Sequence, residues 1–333
     1  MRKRGLTRQQ AWRLEKIQQE RQRRLQRKAQ ALAGDNNGAL GEEQRGTIVA
    51  HHGNRLELAA ADGAIVRCHL RQNLPPLAVG DRVVWQASLR EPGVGLISAL
   101  LPRTNLFYRA DLRGEHQPLA ANLDQILIVI APLPIYSTDL LDQYLAAAAL
   151  MDIEAHIVLN KTDLIDPQAA PAIEQDMNRY RTIGYTVLHS SLHGQGLADL
   201  ERALCGKQSV LVGQSGVGKS SISGALLPQH DIKTGALAEQ TGLGRHTTST
   251  ARSYTLPCGG ALIDSPGVRD FTLWPMPGDV LARGFIEFRP FLGRCRFRNC
   301  SHRHEPGCAL LQARAEGAIS AERLASFQRL RNA

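Results

Sequence analysis

No stretch of this chain is long and apolar enough to cross a bilayer. The longest apolar run, Ile126 to Ile135, is broken by Pro132 and Pro134 and falls far short of the roughly 20 residues a spanning helix needs. The basic N-terminus has no apolar segment behind it, so a secretory signal is not expected. The protein therefore reads as cytoplasmic, with no membrane partner. Aromatic residues make up only 5% of the chain, which leaves little for base-stacking platforms. Cysteine is sparse at six residues. Cys68, Cys205 and Cys258 stand alone in apolar or mixed surroundings and are expected to pack as small hydrophobes.

What is present is an ordinary soluble composition, 43% hydrophobic over 333 residues, enough for two or three domains. Its charge is unevenly placed. Residues 1–28 hold eleven Lys/Arg against Glu15 and Glu20, which accounts for the whole formal excess of +9. A concentrated basic arm attracts phosphate backbones through counterion release, and otherwise serves as a solvated tail. Residues 7–33 are rich in helix formers but carry too few apolar residues for a buried face. They read as a partner-dependent helix or a disordered arm, closed by a linker at Asp35-Asn36-Asn37-Gly38.

From Glu43 to about Pro102 the texture changes to short alternating runs: Gly46–Ala50, Arg55–Leu58, Ala64–Cys68 and Asp81–Trp85, separated by Gly53, Asp62-Gly63 and Val79-Gly80-Asp81. About five strands in some sixty residues fit a small closed barrel, an OB-fold or an SH3-like barrel. After Arg103 the pattern alternates strand and helix. Asp124–Ala131 is a near-continuous apolar strand, Leu140 to Ala148 are spaced as a helix, and Ala155–Leu159 is a second strand. That order makes a βαβ unit with a parallel sheet buried on both faces.

The chain is organised around Gly213-Gln214-Ser215-Gly216-Val217-Gly218-Lys219-Ser220, followed by Ser221. It fits the G-x-x-x-x-G-K-[ST] loop, whose N–H groups wrap nucleotide phosphates. The strand Ser209–Val212 precedes it and a helix from Ser221 to Leu227 follows, so the helix N-terminus faces the anion. Lys219 would reach the outer phosphates and Ser220 would ligate Mg²⁺. Asn160-Lys161-Thr162-Asp163 ends the second strand. A carboxylate at Asp163 accepts two N–H bonds from guanine's Watson–Crick edge, whereas adenine presents a ring acceptor there. Asn160 would read the ring's other polar edge or brace the loop, and the Lys161 stem would lie on the base. The strand Tyr185–His189 leads to Ser190 and Ser191, where backbone N–H groups would support the guanine carbonyl. In Gly242 to Ser249, Thr248 would complete the Mg²⁺ shell when a γ-phosphate is present. Asp264, at the end of strand Gly260–Ile263, would hold Mg²⁺ through water, and the Gly267 N–H would sense the γ-phosphate.

The order of these elements is rotated. Ordinary small GTPases place the phosphate loop first and Asn-Lys-x-Asp late; here Asn160–Asp163 and Ser190-Ser191 precede Gly213–Ser220, His246-Thr247-Thr248 and Asp264–Gly267. With Ala120–Gln125, Gly244–Thr248 and Asp264–Arg269, this arrangement resembles the circularly permuted GTPases of the RsgA (YjeQ) family over almost the whole chain. The resemblance implies a multi-domain α/β protein that binds GTP/GDP, Mg²⁺ and one Zn²⁺. It divides the chain into a basic arm (1–40), an OB-fold barrel (41–102), a permuted GTPase domain with a mostly parallel sheet (103–276) and a zinc-binding helical domain (277–333). It further implies a monomer that binds the small ribosomal subunit and its rRNA late in maturation.

Cys295, Cys300 and Cys308 cluster with two histidines, His302 and His304. Three thiolates and one imidazole close a tetrahedral zinc site, and the family's spacing selects His302. Arg294, Arg296, Arg298 and Arg303 surround it with charge suited to rRNA phosphate. One catalytic group is missing. Where Ras-like enzymes carry a water-orienting Gln after Asp-x-x-Gly, this chain has Val268. Slow intrinsic hydrolysis, stimulated by the ribosome, is therefore expected, with Lys219, His246 and Thr248 as the catalytic candidates. Two other readings differ in class: an RNA-binding scaffold with a structural nucleotide, and an ATP-dependent kinase, which Asn160–Asp163 disfavours.

Overall fold

The computed structural model describes residues 40–332 apart from 53–54, 73, 111–115, 192–195, 228–250 and 265–275. The described chain forms two compact units, one ending at Arg103 but including Ala251 and Arg252, the other holding the remainder.

The first unit is a closed barrel. β1 (Leu40–His52), β2 (Arg55–Ala60), β3 (Ile65–Leu70), β4 (Arg82–Ser88) and β5 (Val94–Leu100) pair in the order β1-β2-β3-β5-β4 and back to β1. All pairs are antiparallel except β3–β5. This is the OB-fold, and closure leaves no open edge. β1 pairs with both neighbours, β4 through residues 40–47 and β2 through 46–52, with a bulge between Ile48 and Ala50. It starts six residues earlier than its apolar pattern indicates, because Glu42 to Arg45 are exposed and polar while still bonded to β4. Ile48, Leu56, Leu58, Cys68, Val83, Trp85 and Ile97 fill the interior. Arg103 clamps the buried Asp81 with two bonds of 2.7 and 2.8 Å.

The second unit begins with a hairpin absent from the sequence reading, β6 (Leu106–Ala110) and β7 (His116–Ala121). A five-stranded parallel sheet follows, formed by β8 (Gln125–Ile130), β9 (Glu154–Leu159), β10 (Thr186–His189), β11 (Gln208–Val212) and, after β12 (Ala251–Thr255), β13 (Ala261–Asp264), in the order β10-β9-β8-β11-β13. Every residue of β8 is buried, as a central strand covered on both faces must be. Helices α1 (Thr138–Leu150), α2 (Ala170–Ile183), α3 (Leu197–Leu204) and α4 (Lys219–Leu226) connect the strands. α1 is capped by the Ser137 hydroxyl and α2 ends on Gly184 at φ 114°. After β8 the chain winds outward through β9 and β10, then returns to lay β11 on the other side of β8. That reversal opens a crevice at the carboxyl ends of β8 and β11, where ligands bind in open α/β sheets.

The C-terminal helices α5 (Gly278–Gly284), α6 (Ala309–Ala315) and α7 (Ala321–Leu330) enclose Phe285, Phe288 and Phe327, whose rings lie 4.9–5.5 Å apart. Gly284 lies against Ala146 of α1, where a Cβ would come within 2.9 Å of the Ala146 Cβ and carbonyl oxygen. One cysteine expectation is corrected. Cys205 and Cys258 do not pack separately but are joined as a disulfide, with Cα atoms 5.2 Å apart. The parallel pairing of β11 with β13 sets the turns that precede these strands side by side. Cys68 is buried in the barrel core.

Candidate nucleotide site and metal centre

β11 delivers the 213–220 loop into the crevice, and the loop's glycines are there for shape. Gly213 (φ 138°) passes so close to β8 that a Cβ would strike the Val129 carbonyl oxygen. Gly218 (φ 99°) starts α4, and a Cβ there would strike the Asn160 amide nitrogen. Both positions demand a conformation and a clearance that only glycine has. Lys219 folds back, its Nζ donating to the carbonyls of Gly213 (2.6 Å) and Gln214 (2.7 Å). Gln214 and Ser215 are exposed, while Ser220 and Ser221 lie half-buried in the first turn of α4.

The end of β9 packs against this loop. Asn160 Nδ2 donates to the Val217 carbonyl (2.9 Å). Lys161, left-handed at φ 57°, sends its Nζ to the carbonyls of Gly216 (2.7 Å) and Leu133 (3.0 Å). Asp163 is held by the Ser191 hydroxyl, which donates to its Oδ1. Thr162 N–H donates to the Ser190 carbonyl and Ser190 N–H to the Leu159 carbonyl, which ties the end of β10 to the same corner. Asn160 Oδ1 and Ser190 Oγ are buried there without a hydrogen-bond partner, an arrangement that a polar ligand resolves. Asp264 ends β13, the neighbour of β11.

Asn160, Lys161, Asp163, Ser190, Ser191 and Gly213 to Ser221 thus converge, and Asp264 ends the adjoining strand. His246, Thr248, Gly267 and Val268 lie outside the described residues. Two features escaped sequence reasoning: the Ser191 hydroxyl as a clamp on Asp163, and the loop after β8 as a wall that anchors Lys161. The signal for the second was available, since Pro132-Leu133-Pro134 follows a fully apolar strand.

The Cys295, Cys300, His302 and Cys308 ligand atoms lie within 4.8 Å of one another. Cys295 Sγ is 3.5 Å from His302 Nδ1 and 4.0 Å from Cys308 Sγ, and His302 Nδ1 is 3.3 Å from Cys308 Sγ. A zinc tetrahedron has S···S edges of about 3.8 Å and S···N edges of about 3.5 Å, so the donor set fits one closed Zn²⁺ site. Burial holds His302 below the ordinary imidazole range, which favours the neutral, metal-binding form. Glu305 shapes the loop by accepting from the N–H groups of Ser301, Arg303 and His304. His304 itself stays outside the cluster. Arg294, Arg296, Arg298 and Arg303 are exposed around it.

Residues 100–274 match the sequence family described as RsgA GTPase. The small ribosomal subunit biogenesis GTPase RsgA of Pseudomonas aeruginosa is 49% identical over 332 residues, covering 99% of this chain and 97% of that protein. Its namesake from Azotobacter vinelandii is 49% identical over 336 residues, with the same coverage. Among solved structures, YjeQ from Thermotoga maritima superposes with a TM-score of 0.71 at 30% identity, covering 87% of this chain and 98% of that one. YloQ, described as a circularly permuted GTPase, superposes at 0.68 with 28% identity, covering 87% and 94%.

Proposed function

The chain belongs to the RsgA GTPase family, and from that premise we propose that this GTP-hydrolysing enzyme binds the small ribosomal subunit and acts as a late checkpoint in its assembly. One observation carries the nucleotide assignment: Asp163, Asn160 and the Gly213–Ser220 loop meet at the crevice between β8 and β11 although they lie far apart in sequence. In this reading Asp163 accepts the two N–H groups of guanine, with its rotamer fixed by Ser191. The loop N–H groups and Lys219 hold the phosphates. Ser220, Thr248 and Asp264 would hold Mg²⁺, which supplies charge neutralisation between the outer phosphates. Cys295, Cys300, His302 and Cys308 would hold Zn²⁺ as a purely structural ion, since four protein ligands leave no open position.

Val268 cannot hydrogen-bond a water, so intrinsic turnover is slow, and His246 is the candidate to position the attacking water. Contact with rRNA phosphate falls to the basic arm and to the exposed arginines beside the zinc centre. The protein acts in the cytoplasm as a monomer; no helix among the described residues is long and apolar enough to cross a membrane. The test is GTP turnover with and without purified small subunits, for the wild type and His246→Ala. Stimulation of at least tenfold in the wild type, lost in the variant, is expected. Equal rates with and without subunits would leave only a nucleotide-binding scaffold. Undiminished stimulation in the variant would remove His246 from the chemistry.

A further inference from the structure

Cys205 and Cys258 stand 53 positions apart, yet the backbone brings them together independently of their sulfurs. Cys205 caps α3, its N–H donating to the Glu201 carbonyl (3.1 Å). Cys258 sits in the 256–260 turn between β12 (Ala251–Thr255) and β13, a turn closed by bonds between Leu256 and Gly260 and between Gly259 and Leu256. The two turns are zipped main chain to main chain. Gly206 N–H donates to the Gly259 carbonyl (3.0 Å), Ala261 N–H donates to the Lys207 carbonyl (2.9 Å), and a Cβ on Gly260 would lie 2.6 Å from Lys207 N and O. The resulting Cα separation of 5.2 Å falls within the range a disulfide spans without backbone movement. Cys258 is exposed and Cys205 half-buried, whereas Cys68 is buried in the barrel.

We propose that Cys205 and Cys258 form a reversible thiol–disulfide exchange site that takes small disulfides of the glutathione class. The exposed Cys258 thiolate attacks one sulfur of the small disulfide. A mixed disulfide forms and one small thiolate leaves. The Cys205 thiolate then attacks Cys258 Sγ, closes the internal bond and releases the second small thiol. Two electrons pass from the protein dithiol to the small disulfide, and the two protein protons end on the two released thiols. A cytosolic disulfide is characteristically of this reversible, sensing kind. The bond ties the turn before β11, which leads to the phosphate loop, to the turn before β13, which leads to Asp264. Oxidation therefore cross-links the two strands that feed the phosphate end of the site, and its reach is read as thermal stability.

The experiment uses reduced full-length protein purified in the presence of zinc and exposed to glutathione disulfide. The reaction is quenched with an alkylating agent and mapped by peptide mass spectrometry. The expected product is an internal Cys205–Cys258 bond, with Cys68 and the cluster cysteines unlinked, and a melting temperature raised by about 5–10 °C. Dithiothreitol should reverse both changes, and neither should occur in Cys258→Ser or Cys205→Ser. Independent alkylation of both cysteines after oxidation would overturn the proposal. So would arrest as a glutathione adduct on Cys258, or the same rise in melting temperature in both serine variants.

Discussion

Asp163 shows how much of this site rests on single atoms. In the proposed role its carboxylate accepts both N–H groups of guanine, and the Ser191 hydroxyl, donating to Oδ1, holds the rotamer. Replacing it by Asn would leave one acceptor and turn an N–H toward guanine's exocyclic amine. Xanthine, with an oxygen there, would fit instead. For Asp163→Asn we expect guanine nucleotide affinity to fall about 10–100-fold and xanthosine nucleotides to gain, as read in a binding titration. Undiminished guanine binding would show that another group reads the base. Asp163 stood out in the sequence because the chemistry restricts that position to a carboxylate within a short string. Ser191 did not stand out as a clamp, since a hydroxyl 28 positions away becomes one only when β9 and β10 pair.

Elements differ in how visible they were for a physical reason. β8, β9 and β11 are buried on both faces, so their composition alone marks them. The first half of β1 carries polar residues along its length, and Pro118 interrupts β7 where a strand pattern would be read, so only their partners make these segments strands. The junction between α1 and the C-terminal helices was likewise invisible. Arg323 on α7 is buried between Asp142 of α1 and Glu287, with its guanidinium 4.4 Å from the Phe285 ring centre. Burial pulls its pKa down, but the two carboxylates outweigh this and raise it above the ordinary value, so it stays charged. Tyr180 adds a 2.8 Å bond to Asp142. Removing one partner of such a group strands a buried charge, so Asp142→Ala should cost about 3–5 kcal/mol in chemical unfolding. A loss below about 1 kcal/mol would mean that Glu287 compensates Arg323 alone. The proposed zinc site makes a parallel prediction. Chelation should unfold residues 295–308 locally, seen as rapid amide exchange there, while β8 and β9 stay protected. Unchanged exchange after metal removal would show a segment that folds without the ion.

At the scale of the whole molecule, the proposed contact with the small subunit rests on charge. The formal excess of +9 resides in residues 1–28, so the rest of the chain is close to neutral. Removing those residues should weaken small-subunit binding and reduce the slope of log K against log salt. Each lost phosphate contact contributes roughly 0.7–0.9 to that slope. Turnover without subunits should be unaffected by the truncation. An unchanged slope would move the electrostatic contact to Arg294, Arg296, Arg298 and Arg303.

Residue type and spacing alone carried the family and the proposed chemistry: a G-x-x-x-x-G-K-S loop, a carboxylate at Asp163, a cluster of three cysteines and a histidine, and the rotated order of these elements. Those are properties of residue type and spacing along one strand–loop junction, and they survive being read in one dimension. Which side chains meet followed from the folded chain. The return of β11 to the flank of β8 makes the crevice, the pairing of β9 with β10 makes the Ser191 clamp, and the pairing of β11 with β13 brings Cys205 to Cys258. Contacts of that kind depend on strand order, and strand order is set by the packing of buried faces that look alike in composition.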